Sequence, residues 1–188
     1  MKADLTLKEK YNIIFDCALN EKSRNPLIIV QNLMNPDCVN IHGPEHHFID
    51  GAAFLTAYKN AGGDIDLRAC LCELETRAAT MPGAMCGYWG ICGSVASVGA
   101  ALSIIHKTGP LSTDEYYKDH MEYTSGVIRE MSKIGGARCC KRNAFLSLLF
   151  AARFVREKYG IIMEEQKPVC TYSSKNKQCL KANCPFHS

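Results

Sequence analysis

At 188 residues with 47% hydrophobic content, the chain is long enough to fill one well-packed domain. Its formal net charge of +3 is too mild for an extended nucleic-acid surface, so nucleic acid is not expected as a partner. The most apolar run, Ile91 to Ile105, is about 15 residues against the roughly 20 that a bilayer span needs, and no membrane role is expected either.

Met1 to Lys10 is charged and polar with no apolar core, unlike a secretory signal, and the expected location is the cytoplasm. In a reducing compartment the eleven cysteines do not read as a disulfide framework, and metal binding or thiol chemistry becomes the better expectation.

Thr6-Leu7-Lys8-Glu9 is a capping box, and Leu7, Tyr11, Ile14 and Ala18 follow at helical spacing, which predicts a first helix to about Asn20. Asn25-Pro26 supplies an N-cap and a first-turn proline for a short apolar second helix through Leu33. Residues 35 to 43 read as a loop. Pro44-Glu45-His46-His47-Phe48 opens a third helix, closed by Gly62-Gly63. Asp64 to Thr80 predicts a fourth, with Leu67, Leu71, Leu74 and Ala78 on one face.

Pro82 to Gly93 holds two cysteines, four glycines, a proline and the only tryptophan, a mixture that suits neither a regular helix nor a regular strand. It reads either as a loop around a metal centre or reactive thiol, or as a tight turn with two buried, inert cysteines. The small-residue run from Cys92 to about Lys107 then predicts a central helix that neighbouring backbones can approach closely. Ser112-Thr113-Asp114-Glu115 is a second capping box, with Tyr117, Met121, Thr124, Ile128 and Met131 on one stripe ending at Gly135-Gly136. A last long helix runs through Phe145, Leu148, Ala152 and Val155 to Gly160. The expected fold is therefore all-α, a compact bundle of about seven helices over residues 1–160, followed by an irregular metal-binding tail over 161–188.

Three places put ligand-type side chains at a helix start: His46 with His47, Cys92 just after Cys86, and Cys139 with Cys140. Helix N-termini carry partial positive charge and free N–H groups, which favour thiolates and anions. If the three starts converge, Cys86, Cys92 and one or both of Cys139 and Cys140 form a thiolate pocket for an iron–sulfur cluster or zinc. The plainer alternative for Cys139 and Cys140 is one core thiol and one spare. His46 and His47 stand about a hundred degrees apart around a helix, so one at most faces a shared pocket as metal ligand or general acid/base, with Asp50 able to orient it. The plainer reading is a histidine bonded to a loop carbonyl. Arg138, Lys141 and Arg142 beside a helix start form a candidate anion site or a solvated rim.

In the tail, Cys170, Cys179, Cys184 and His187 are separated by eight, four and two residues within an otherwise polar, lysine-bearing segment. That pattern suits a segment folded by its metal, with zinc on three cysteines and a histidine as the first assignment and iron–sulfur as another, given Cys184-Pro185. The spacing is similar to that of CCCH zinc fingers. The alternative is a disordered tail with incidental cysteines.

His46-His47-Phe48 with Gly51, then Pro82-Gly83 and Cys86-Gly87-Tyr88-Trp89-Gly90-Ile91-Cys92-Gly93, then Gly135-Gly136-Ala137-Arg138-Cys139-Cys140-Lys141-Arg142, together resemble an uncharacterised family of unknown function associated with methanogenic archaea and anaerobic bacteria. The resemblance implies an anaerobic, cytoplasmic setting, and no established reaction or substrate. The expected function is iron–sulfur-dependent redox or sulfur-transfer chemistry on a small molecule, with a redox protein as a further partner class. Two alternatives stand beside it, a zinc-stabilised binding or adaptor module and a metal-free thiol oxidoreductase.

Overall fold

The computed structural model describes residues 5–187. Within them the chain forms α1 (Leu7–Asn20), α2 (Pro26–Leu33), α3 (His46–Asn60), α4 (Leu67–Ala79), α5 (Met85–Tyr88), α6 (Gly93–His106), α7 (Glu115–Ile134) and α8 (Cys140–Tyr159), then a single 3₁₀ turn at Lys181–Asn183. No strand occurs among the described residues, and none of their helices is long and apolar enough to cross a membrane. The first four residues of the polar segment Met1 to Lys10 lie outside the described residues.

Local chemistry sets most of the boundaries. The Thr6 hydroxyl accepts from the Glu9 amide while the Glu9 carboxylate accepts from the Thr6 amide, which completes the capping box of α1. Asn25 caps α2 by accepting from the Leu27 amide at 2.9 Å. The fourth helix starts at Leu67 and not at Asp64, because the carboxylate that accepts an orphan amide (Ala69, 3.1 Å) belongs to Asp66. For α7 the cap is Asp114, accepting from Tyr117 at 3.2 Å, while the Ser112 hydroxyl accepts from the Gly109 amide instead.

Two expectations are corrected by packing. Among the described residues there are eight helices where about seven were expected, because the cysteine–glycine loop contains a one-turn helix, α5, entered through a left-handed Ala84 (φ 61°) and anchored by buried Met85. The inner face of α7 is also rotated: Asp119, Tyr123 and Val127 are buried, whereas Tyr117 and Met121 are 36% and 51% exposed. Polar-tipped residues win this face because they find partners there. Tyr123 donates to the Ser147 carbonyl at 3.1 Å, and buried Asp119 accepts from the Tyr159 hydroxyl at 2.9 Å.

The bundle is built on α3, whose side chains from His46 to Tyr58 are all buried and which packs against α1, α2, α4, α6 and α8. The small-residue helix α6 is its main neighbour and packs in turn on α4, α7 and α8. Their backbones meet at Gly51, whose amide donates to the Ser97 hydroxyl at 2.9 Å. A Cβ at Gly51 would lie 2.6 Å from that oxygen and 2.9 Å from the Ser97 carbonyl, so glycine is required by contact here.

Beyond Gly160 the chain runs back over the bundle without regular structure, the Glu164 amide donating to the Arg24 carbonyl at 3.1 Å. Met163 and Phe186 are both 3% exposed and belong to the core. Phe186 meets Phe145 of α8 edge-on at 5.3 Å, and the Cys170 amide donates to the Phe186 carbonyl at 2.9 Å, closing the tail into a loop. The tail is thus docked on α8.

Candidate functional site

The packing of α3, α6 and α8 brings three helix starts to one end of the bundle, where the loop before α3, the α5 loop and the turn before α8 close around a cavity of about 330 Å³. Its lining includes His42, His46, His47 and Asp50 from the first region, Cys86 and Cys92 from the second, and Arg138, Cys139, Cys140 and Asn143 from the third. A second hollow of about 320 Å³ adjoins it beneath the end of α7, adding Ile128, Met131 and the edges of Gly87, Gly90 and Gly135. Cys86, Cys92, Arg138 and Asn143 line both. The result is a polar chamber and a more apolar one sharing a waist of two thiols, a cation and an amide.

Room for the polar chamber depends on Gly93 at the first position of α6. A Cβ there would stand 2.2 Å from Cδ2 and 2.3 Å from Nε2 of His47, so the absent side chain is what seats the imidazole. Asn143 lies one turn into α8 and donates to the Cys92 sulfur at 3.3 Å. The His46 Nε2 is 3.1 Å from the Asn40 carbonyl and 3.3 Å from the Lys141 ammonium, which itself donates to Asn40 at 3.3 Å. The Cys140 amide donates to His42 Nδ1 at 3.5 Å, and His42 Nε2 pairs with the Asn176 side chain at 3.1 Å.

Several polar atoms in this chamber have no hydrogen-bond partner: both Asp50 carboxylate oxygens and the Nδ1 atoms of His46 and His47, on residues that are 0%, 1% and 7% exposed. The nearby Ser94 hydroxyl is committed to Ser147 at 2.9 Å. Burial pushes Asp50 up to about 7 and holds His46 well below, and His47 below, the usual imidazole range. Burial also raises the thiols, Cys92 upward and Cys140 up to about 12, while it pulls Lys141 down to about 8. Without a compensating cation the floor therefore favours neutral thiols and imidazoles, each with a lone pair free for a ligand.

A model of a family of unknown function, DUF5714, matches residues 14–187. The chain belongs to this family. No curated protein and no solved structure matches it. The match runs from within α1 to His187, so the helical bundle and the cysteine tail are both parts of the DUF5714 unit.

Within this DUF5714 chain the side chains singled out from sequence fall into two groups. His46, His47, Asp50, Cys86, Cys92, Arg138, Cys139 and Cys140 line the polar chamber, so both histidines border it where helix spacing led to the expectation of one at most. Cys170, Cys179, Cys184 and His187 lie in the docked tail, where the Lys181 amide donates to the Cys179 sulfur at 3.4 Å and the His187 amide to the Cys184 carbonyl at 3.1 Å. All eleven cysteines are free, and among the described residues no group of three or more His, Cys, Asp or Glu side chains is arranged to hold a metal ion as it stands. Of the three basic residues, Arg138 is exposed at the waist of the two hollows. Lys141 is buried against His46, and Arg142 donates to the Gly135 and Ala137 carbonyls and to Asn143, bracing the turn before α8.

Sequence reasoning passed over His42, Asn143 and Asn176. Asn143 was within reach of it, because a residue three positions after Cys140 lies on the same helix face. His42 and Asn176 sit in irregular segments, where no periodicity marks a buried position.

Proposed function

We propose that this protein is a cytoplasmic metalloprotein whose polar chamber holds a thiolate metal centre, an iron–sulfur cluster in the favoured form, for redox or sulfur-transfer chemistry on a small molecule. One observation carries the reading: thiols from two separate segments, Cys86 with Cys92 and the start of α8, line a single cavity whose floor also holds a fully buried, unpartnered carboxylate. Cys86, Cys92 and Cys140 would bind the centre, and a three-thiolate site leaves one metal position open to substrate. The adjoining apolar hollow gives that substrate room, with Arg138 at the waist to meet an anionic group.

The state of the thiols favours a metal over free-thiol catalysis. A reactive cysteine needs a lowered pKa, whereas burial raises both Cys92 and Cys140. A bound cation would reverse that balance and hold them as thiolates. A zinc-stabilised module is the second reading, favoured by the mixed donor set of Asp50 and His47 beside the thiols, which suits zinc as well as iron.

The test is metal and acid-labile sulfide content with an absorption spectrum on protein made without oxygen, repeated for Cys86→Ser, Cys92→Ser and Cys140→Ser. The cluster predicts iron, sulfide and broad visible absorption in the wild type and their loss in each variant. Zinc without sulfide that is lost in these three variants selects the second reading, and a wild type with no metal that depends on these three cysteines overturns both.

A further inference from the structure

We propose that Cys139 closes a four-thiolate zinc site with Cys170, Cys179 and Cys184, so that one metal ties the tail to the start of α8 and His187 is not a ligand. This inference does not depend on the chemistry of the polar chamber. It starts from the divergence of two adjacent cysteines. Cys139 is the cap residue of α8, with extended backbone, and Cys140 is the first residue of the helix, so their side chains leave the chain in different directions. Neighbouring cysteines are poorly placed to bridge each other.

Cys140 looks inward, where Asp50 and Cys92 are among the groups that add to the effect of burial on its thiol. Cys139 borders the chamber as well, but the hydrogen bonds to its sulfur come from α8 and the tail. Its sulfur accepts from the Arg142 amide at 3.4 Å and from the Asn176 side-chain amide at 3.5 Å. Asn176 is 6% exposed and is the hinge of the arrangement, because its carbonyl also accepts the Cys179 amide at 3.0 Å. One residue therefore touches the Cys139 sulfur and the backbone of Cys179. Cys184 and Cys170 are brought to the same place by the Cys170–Phe186 bond and the seating of Phe186 on Phe145.

Electrostatics agrees with this grouping. After burial, the groups that raise the Cys170 thiol are Cys139, Cys184 and Cys179, so the other three sulfurs all lie close enough to act on it. The sulfurs also face N–H donors in the manner of metal-bound thiolates: Lys181 donates to Cys179 two residues back, and the Tyr172 amide stabilises the Cys170 thiolate from the same relative position. Four thiolates with such donors suit tetrahedral zinc. The four sulfurs are not gathered at ligand distances as they stand, but the segment carrying three of them is irregular apart from one 3₁₀ turn, so drawing them onto a metal breaks no helix.

The site has a consequence for the chamber beside it. Asn176 also pairs with His42, and Tyr172 lies over the Lys141 ammonium at 4.8 Å, so the metal-bound tail would brace two residues beside the chamber floor. The test uses the full chain purified without oxygen, loaded with zinc and, separately, with cobalt as a spectroscopic stand-in, in wild type, Cys139→Ser, Cys140→Ser, Cys179→Ser and His187→Ala. Zinc held by the tail, the cobalt spectrum of four thiolates, loss of that metal in Cys139→Ser and Cys179→Ser, and its retention in Cys140→Ser and His187→Ala support the proposal.

Loss in His187→Ala with retention in Cys139→Ser overturns it, as does a wild type whose zinc content Cys179→Ser leaves unchanged. Cys139→His guards against a folding defect. It offers another zinc ligand at the same position and is expected to restore the metal, and failure to do so in a protein of wild-type helicity counts against the site. Iron and sulfide lost in Cys140→Ser but kept in Cys179→Ser would report on the chamber separately.

Discussion

Replacing Gly93 by alanine tests whether the first residue of α6 is kept small in order to seat His47. The new methyl would stand 2.2 Å from the ring Cδ2, against about 3.5–4.0 Å for a relaxed carbon contact, so one group must yield by about 1.5 Å. The helix backbone is fixed by packing on α3, α4, α7 and α8, whereas the imidazole borders a cavity. The ring therefore moves. Overpacking of this kind costs about 1–3 kcal/mol, and the gain in helix propensity from Gly to Ala returns at most about 1 kcal/mol. A net loss of about 1–2 kcal/mol should lower Tm by roughly 2–8 °C in a chain of this size. Gly87→Ala is the control, since nothing lies within 4 Å of its added Cβ, and its Tm should stay near wild type. A double-mutant cycle in thermal melts isolates the contact: in a His47→Ala background, Gly93→Ala should be neutral or stabilising. An undiminished loss in that background, or a Gly93→Ala protein that melts at or above wild type, would refute the reasoning.

Gly51→Ala should be harsher, by about 3 kcal/mol or more in chemical unfolding, because one of the atoms it meets is the Ser97 backbone carbonyl at 2.9 Å, and a loss below about 1 kcal/mol would mean the helices part easily. Asp50 sets a pH dependence in metal-free protein. Burial holds its folded pKa at about 7 against about 3.9 in an unfolded chain, so its contribution is fully present below about pH 4 and is lost as pH rises to about 7. Asp50→Asn should flatten that decline by up to about 4 kcal/mol in urea titrations across this range, and parallel pH profiles for the two proteins would contradict it. Phe186→Ala should free the end of the tail from α8 at the cost of a core aromatic, about 3 kcal/mol or more: proteolysis between Cys170 and Cys184 becomes fast at temperatures where the bundle is still helical, and an intact tail would show that Phe145 is not its anchor.

The order and type of the helices were legible in the sequence because their signals act within about one turn. Thr6 with Glu9, Asn25 with Pro26, and the glycine at position 160 settle backbone amides and carbonyls locally, whatever the rest of the chain does. The chemistry-bearing residues were visible as types for the same reason. A cysteine beside glycines or a histidine at a helix start is an oddity that needs no tertiary information. Even the one-turn α5 was marked as unusual by its composition, though its helical turn follows from a left-handed Ala84 that composition does not specify.

What only the tertiary structure decided is how distant segments meet. The pattern of α3, with histidines, an aspartate and a threonine among apolar residues, gives no sign that the helix is buried on all sides. The inner face of α7 turned on whether Asp119 and Tyr123 find partners on Tyr159 and Ser147, contacts that periodicity cannot count. The meeting of Asp50, Cys92 and Cys140, and the parting of Cys140 from Cys139, depend on packing between residues far apart in the chain. Helix caps are local hydrogen bonds and are written in neighbouring letters. Convergence is a property of the whole core, to which every buried side chain contributes and which no single stretch encodes.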